Sequence, residues 1–271
     1  MAVEAPRTVP EFRPSRVGPK RVVTAIGKSG SGKSQVIYDI LQHVKPDIAL
    51  VFAGTLGAFN LASQSVAQAL IIPGYDEATL RNLTRMMQIS HRYPDLGLPK
   101  FAEVCLDDLG TSGILRQKKS FLQQFFTEAR HYGIGLKICI HSYSQLLPEA
   151  RDSFHTTLLY KCGNHKQLRD LHTNFSTVDF KTFQQYMDTV TGDYRALVIN
   201  NLPNVKKAEE LSWYKSDLSR RMNPIGRDDV REFCRLFCKQ DVGWTVNATA
   251  AVKHSVVLET GSDSAHHSDC D

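Results

Sequence analysis

The sequence predicts an α/β fold in which helices flank a parallel sheet. Three observations carry that expectation. Short β-branched runs alternate with segments of helical apolar periodicity, the pattern of a parallel sheet with right-handed crossovers. The first run, residues 21–26, ends in glycines and leads into an amphipathic helix. A later one, residues 101–106, ends in two consecutive carboxylates, Asp107 and Asp108. The 271 residues are 42% apolar and 23% charged, a globular composition with length enough to bury a core without disulfides.

The elements follow in order. After the strand at 21–26, residues 35–44 place Val36, Ile37, Ile40, Leu41 and Val44 on one helical face, and Pro46 ends that helix. Residues 48–53 read as a second buried strand. Residues 76–92 form a polar helix with Leu80, Leu83 and Met87 inward, stopped by Pro94. Residues 101–106 are the third strand. Residues 114–132 read as one helix with Leu115, Leu122, Phe125 and Phe126 on its core side. Strands at 136–140 and 156–160, a helix at 180–189 and a late strand at 194–200 complete the pattern. After Asn201 the signal weakens, with one more helix at 228–239. No internal repeat is visible.

The termini differ in charge. Residues 1–35 hold seven basic and two acidic side chains, whereas residues 246–271 hold one Lys and four acids. Pro6, Pro10, Pro14 and Pro19 punctuate the first segment. The expected organisation is a flexible basic, Pro-rich arm over 1–19, a folded domain over 20–245, and a flexible acidic, Ser/His-rich tail over 246–271. The net charge of +5 is compatible with a polyanionic partner without requiring one. Residues 1–20 show no apolar run of the kind that marks a secretory signal. Residues 48–75 carry no charge, but Gly54, Gly57, Asn60, Ser63, Gln64 and Gln68 interrupt them, so no membrane span is expected. The six cysteines are scattered and read as buried free thiols of a reducing compartment.

Gly27-Lys28-Ser29-Gly30-Ser31-Gly32-Lys33-Ser34 fits the phosphate-loop pattern G-x-x-x-x-G-K-[ST], with a strand before it and an amphipathic helix after it. The glycines let backbone N–H groups converge on phosphate oxygens at the positive end of a helix. In such a loop Lys33 reaches the β- and γ-phosphates of ATP, and the Ser34 hydroxyl binds Mg²⁺. Asp107, at a strand's C-terminal edge, is the second candidate Mg²⁺ ligand, and Asp108 the group that polarises the attacking water. Two acids on a strand separated from the loop's own strand by another match the additional-strand ATPases that do mechanical work. Nucleotide kinases instead carry a compact Arg-rich lid; no compact one is evident, although residues 201–235 hold enough Arg to keep that option open.

Polar residues ending the strand at 136–140 are candidates to hold the lytic water and sense the γ-phosphate: His141, Ser142 and Gln145. Arg151 is a candidate finger acting on a neighbour's ATP, with a plain surface arginine as the alternative.

Taken together, GKSGSGKS, VCLDDLG, EARHYGIGLKICIHSYSQLLPEAR, LLYKCGNHKQLRDL and TGDYRALVINN resemble the viral genome-packaging ATPases of the FtsK–HerA superfamily, the poxvirus-type group found also in giant viruses, virophages and polinton- or adintovirus-like elements. The resemblance runs over residues 21–201, about two thirds of the chain. It implies a RecA-like core and a motor that threads double-stranded DNA, without regard to sequence, into a preformed capsid at its portal vertex. It further implies a homo-oligomeric ring, pentamer or hexamer, at sites of virion assembly in the host nucleus or cytoplasm, or carried with the virion. By this likeness Lys33, Ser34, Asp107 and Asp108 take the roles above, and Arg130 joins Arg151 as a trans-finger candidate. The family's sensor at the end of this strand is usually Gln or Asn. Here His141 and Ser142 stand in its place, with Gln145 a few residues on.

Two further groups carry alternative readings. Cys234 and Cys238, with His254, His266 and His267, have the residue types of a zinc site, but their spacing on a helix equally suits core packing. Lys118, Lys119, Lys166 and Arg169 are candidate phosphate contacts in a DNA channel, or simply solvated helix faces. The remaining alternatives are a DNA translocase or helicase of replication or segregation, a small-molecule kinase, and a nucleotide-gated assembly protein.

Overall fold

A computed structural model of the chain describes residues 9–202 and 210–238. Its elements are β1 (Val22–Ile26), α1 (Lys33–Val44), β2 (Ile48–Ala53), α2 (Leu56–Ala62), β3 (Ile71–Pro73), α3 (Glu77–Arg92), β4 (Ala102–Asp107), α4 (Phe121–Glu128), β5 (Ile134–Ile140), α5 (Pro148–Arg151), β6 (Thr156–Leu159), α6 (His165–Phe175), α7 (Phe180–Val190), β7 (Arg195–Asn200), β8 (Leu211–Lys215) and α8 (Asp228–Phe237). The eight strands form one sheet in the order β3-β2-β4-β5-β1-β6-β7-β8.

β3 through β6 run parallel, while β7 and β8 add antiparallel. The sequence reading had a parallel sheet throughout. The difference arises at α6, which sequence reasoning missed. One crossover helix returns the chain to the starting edge and gives a parallel strand. Two successive helices, α6 and α7, bring it back to the edge it left, so β7 must run the other way. Only Leu168, Leu171 and Phe175 of α6 are buried, too sparse a stripe to announce the helix in sequence.

The central strands are buried on both sides, which accounts for their near-continuous apolar runs. Alternate residues serve different layers. Val23, Ala25, Val51, Cys105 and Cys139 pack with α1 and α2 residues. Leu50, Phe52, Leu106 and Ile138 pack with α3, α4, α6 and α7 residues.

Other boundaries moved for local reasons. The helix expected over 114–132 is broken: Lys119 takes φ 58°, and Ser120 starts a new helix by accepting from Gln123 N at 3.4 Å. Residues 129–132 tighten to a 3₁₀ turn before β5. Residues 48–75 fold as β2, α2 and β3, and no helix among the described residues is long and apolar enough to cross a membrane.

Residues 9–19, expected within a flexible arm, are docked. Phe12 N donates to Trp213 O at 2.6 Å and Trp213 N to Pro10 O at 2.9 Å. The Phe12 ring meets Tyr214 edge-on at 6.1 Å, and Val17 is buried. The cause is β8, an edge strand whose backbone groups need partners. The rest of that arm, residues 1–8, and the whole tail, residues 246–271, lie outside the described residues, as does the boundary at 245.

Candidate nucleotide-binding site

β1 delivers the chain to the loop at Gly27, and α1 begins at Lys33. Between them Gly30 (φ 74°) and Gly32 (φ 97°) take left-handed backbone that favours glycine. Gly27 is required by close approach, since a Cβ there would stand 2.6 Å from Tyr160 Cβ. Lys28, Ser29 and Gly30 form the exposed crest, with Ser31 half-buried behind it. Lys33 is buried and donates to Lys28 O at 2.8 Å, which folds its ammonium back over the loop. Burial lowers its pKa, opposed by the nearby acids.

β5 lies between β1 and β4, so Asp107 reaches the loop across one strand. Ser34 Oγ donates to Asp107 Oδ1 at 2.8 Å. Burial pushes the Asp107 carboxyl up to about 6, opposed by hydrogen bonds from Ser34 and the Cys139 thiol. Asp107 Oδ2 is buried with no hydrogen-bond partner. A serine hydroxyl beside a buried carboxylate with an unpartnered oxygen fits Mg²⁺, with Ser34 and Asp107 as the residues that would hold it. A divalent cation there would stabilise the ionised carboxylate, which burial disfavours.

Asp108 diverges from its neighbour. It takes φ 62°, and its carbonyl lies against Gly54, where a Cβ would stand 2.1 Å from Asp108 O. Its Oδ1 lies 2.5 Å from His141 Nε2, and His141 Nδ1 lies 3.4 Å from Gly27 O. His141 thus bridges the second acid and the start of the loop.

The three sensor candidates separate by contact. His141 alone of them touches a site carboxylate. Gln145 Oε1 accepts from His141 N at 2.9 Å and Ser142 N at 3.2 Å, so its side chain holds the backbone that aims His141. Ser142 Oγ accepts from Ser144 N at 3.3 Å and caps the following turn.

The arginine candidates sit elsewhere. Arg130 is exposed in the turn before β5, at the end of the parallel strands opposite the loop. It lies near Arg21 and His155, whose pKa is lowered by burial and by these cations. Arg151 is engaged within its own chain: it donates to Asn174 Oδ1 at 3.0 Å and Leu146 O at 2.9 Å, and lies over the Tyr143 ring at 4.8 Å. Lys118 and Lys119 are exposed in the turn before α4, Lys166 is exposed on α6, and Arg169 lies over Phe180 at 5.0 Å. Cys234 sits on α8 with Cys238 just beyond its end, and burial pushes the Cys234 thiol up to about 11. His254, His266 and His267 lie outside the described residues, and among the described residues no three potential ligands cluster.

Several supporting residues escaped sequence reasoning. Tyr160 OH and Ser216 Oγ each donate to Gly32 O at 3.0 Å. They lie just past the ends of β6 and β8, 56 positions apart, and no local pattern marks either. Asp39 did leave a signal, an acid amid the apolar residues of α1. It is 1% exposed, accepts from Tyr214 OH, and lies 3.6 Å from Arg220, tying the chain around β8 to the helix behind the loop.

A mostly parallel sheet flanked by helices, with a phosphate loop after β1 and a strand between β1 and the carboxylate strand, is the architecture of the additional-strand P-loop ATPases. Solved structures agree in fold. No family model matches the chain. It is 26% identical over 190 residues to uncharacterized protein 075L of invertebrate iridescent virus 6, covering 68% of this chain and 72% of that protein. The structure is similar to B204, the DNA-packaging ATPase of Sulfolobus turreted icosahedral virus (TM-score 0.52, 16% identity, 73% of this chain and 98% of that one). It is similar also to the genome-packaging NTPase B204 of Sulfolobus turreted icosahedral virus 2 in complex with ATP-γS (TM-score 0.52, 15% identity, 76% and 98%).

Proposed function

We propose that this chain is an ATPase motor that drives double-stranded DNA into a viral capsid. The observation that carries the ATPase reading is the convergence of Lys33, Ser34, Asp107, Asp108 and His141 from three separate strand ends onto one loop. The motor reading is supported by the intervening β5 and by likeness of fold to a DNA-packaging ATPase.

Catalysis of phosphoryl transfer is mostly positioning and charge neutralisation. The backbone N–H groups of residues 27–34 cradle the phosphates. Lys33 exchanges Lys28 O for β- and γ-oxygens. Asp108 accepts hydrogen bonds from the attacking water, and His141 fixes its carboxylate in place. Mg²⁺, when bound, supplies charge neutralisation on the phosphate oxygens beside Ser34 and Asp107.

The test is steady-state ATP hydrolysis with and without double-stranded DNA. Wild type is expected to hydrolyse ATP, faster with DNA, and Lys33→Ala to fall at least a hundredfold. Phosphate transfer to a nucleoside with indifference to DNA would replace this reading with a kinase. Nucleotide binding without turnover would replace it with a nucleotide-gated assembly protein.

A further inference from the structure

On the side of the loop away from the carboxylates stands an aromatic ring that the site above does not use. Tyr194 is 44% exposed and takes φ 64°, a left-handed conformation uncommon for a bulky residue. The preceding Asp193 also has positive φ, 46°. The turn is held from both ends: Arg195 N donates to Gly192 O at 2.8 Å and Ser216 N to Tyr194 O at 3.0 Å. Ser216 is the residue whose hydroxyl donates to Gly32 O, so one residue, through its backbone and its side chain, links the turn to the loop. A Cβ placed on Gly32 would stand 3.6 Å from Tyr194 Cβ. Two residues beyond Ser216, Leu218 is 53% exposed.

The two flanks of the loop differ in chemistry. Towards β5 and β4 it meets Asp107, Asp108 and His141, which suit a γ-phosphate, a cation and a water. Towards β6, β7 and β8 it meets Tyr160, Ser216 and Tyr194, all uncharged. A triphosphate with its γ end at the acids presents its nucleoside to this second flank. An exposed ring gains little from burial, so a strained backbone that holds one there is not explained by packing. Aromatic faces stack on any nucleobase. We propose that Tyr194 is the platform on which the base of the bound nucleotide stacks. The assignment rests on the reading that the loop binds a nucleoside triphosphate.

The experiment is calorimetric titration of the full chain with Mg-ADP and, separately, with Mg-inorganic triphosphate, which has the phosphates but no base. Tyr194→Ala is expected to weaken ADP binding about fivefold or more and to leave triphosphate binding within about twofold of wild type. Tyr194→Phe should restore ADP binding. Tyr194→Asn, at ease with positive φ, should match Tyr194→Ala and so remove backbone strain as the cause. Unchanged ADP binding in Tyr194→Ala, equal loss of both ligands, or a Tyr194→Phe that behaves like Tyr194→Ala would overturn the assignment. A wild type that binds neither ligand would overturn the nucleotide reading itself and this assignment with it. Triphosphate binding abolished by Lys33→Ala, with ADP indifferent to Tyr194, would remove only the platform.

Discussion

Asp107 shows how one buried carboxylate couples proton binding to stability. Its folded-state carboxyl is raised to about 6 from an ordinary 3.8, so the native state holds a proton that the unfolded chain releases. Metal-free protein therefore keeps this contribution below pH 3.8 and loses it as pH rises through 6, a loss on the order of 3 kcal/mol. Asp107→Asn keeps an acceptor for Ser34 and has no charge to desolvate. Without metal it should be more stable than wild type at pH 7.5 and nearly equal at pH 4, as urea titrations would show. Added Mg²⁺ should stabilise wild type but not the variant, and ATP hydrolysis should vanish in the variant. A metal-free Asp107→Asn that is less stable at pH 7.5 would refute this account. At this scale the chemical groups were readable and their company was not. The loop spacing and the paired acids announced themselves, whereas nothing in the sequence marks the contact of the His141 ring with Asp108.

At the scale of elements, the pairing of β4 with β5 contains an ion pair with both side chains fully buried, Lys137 Nζ to Glu103 Oε2 at 2.5 Å. Lys137 Nζ also donates to Arg21 O at 3.0 Å on the entry to β1. Gly135 makes room, because a Cβ there would stand 2.3 Å from Glu103 Oε1. Removing one partner leaves an uncompensated charge, a cost of about 3–5 kcal/mol. Lys137→Met should show that loss in urea denaturation. The loss should be smaller at pH 5 than at pH 8, because burial already pushes the Glu103 carboxyl up and protonation removes the stranded charge. Glu103→Gln added to Lys137→Met should recover most of it. An additive double variant would mean that the two side chains are not coupled. Neither residue drew notice in the sequence, since a lone Glu and a lone Lys in apolar strands signal nothing until strand register brings them together. The elements themselves were legible wherever apolar periodicity was dense, as in α1, β2 and β5. They were missed where burial is sparse or the element short, as in α2, β3 and α6.

For the whole molecule, the question is whether a neighbour completes the site. Arg130 lies at the end of the parallel strands opposite its own phosphate loop, so any action on ATP must be on another subunit's. A homo-oligomeric ring of the kind the resemblance implies makes a direct prediction. Arg130→Ala and Lys33→Ala should each be inactive alone, while a mixture should recover measurable hydrolysis, because some interfaces then pair an intact loop with an intact arginine. Specific activity of wild type should also rise with protein concentration. A fully active Arg130→Ala, or no recovery in the mixture, would remove Arg130 from the mechanism. Arg151 is the weaker candidate, since moving to a neighbour would break its bonds to Asn174 and Leu146.

The sequence by itself determined the α/β class, the phosphate loop and the acids that face it. Each depends on local chemistry: apolar runs that must be buried, glycines where backbone must turn, carboxylates where a strand ends. Tertiary structure alone decided the rest. It set the antiparallel β7 and β8, the docking of residues 9–19 on the last strand, the contact of His141 with Asp108, and the Tyr160, Ser216 and Tyr194 flank of the loop. These depend on contacts between residues far apart in the chain, whose partners are fixed by strand order and register rather than by spacing.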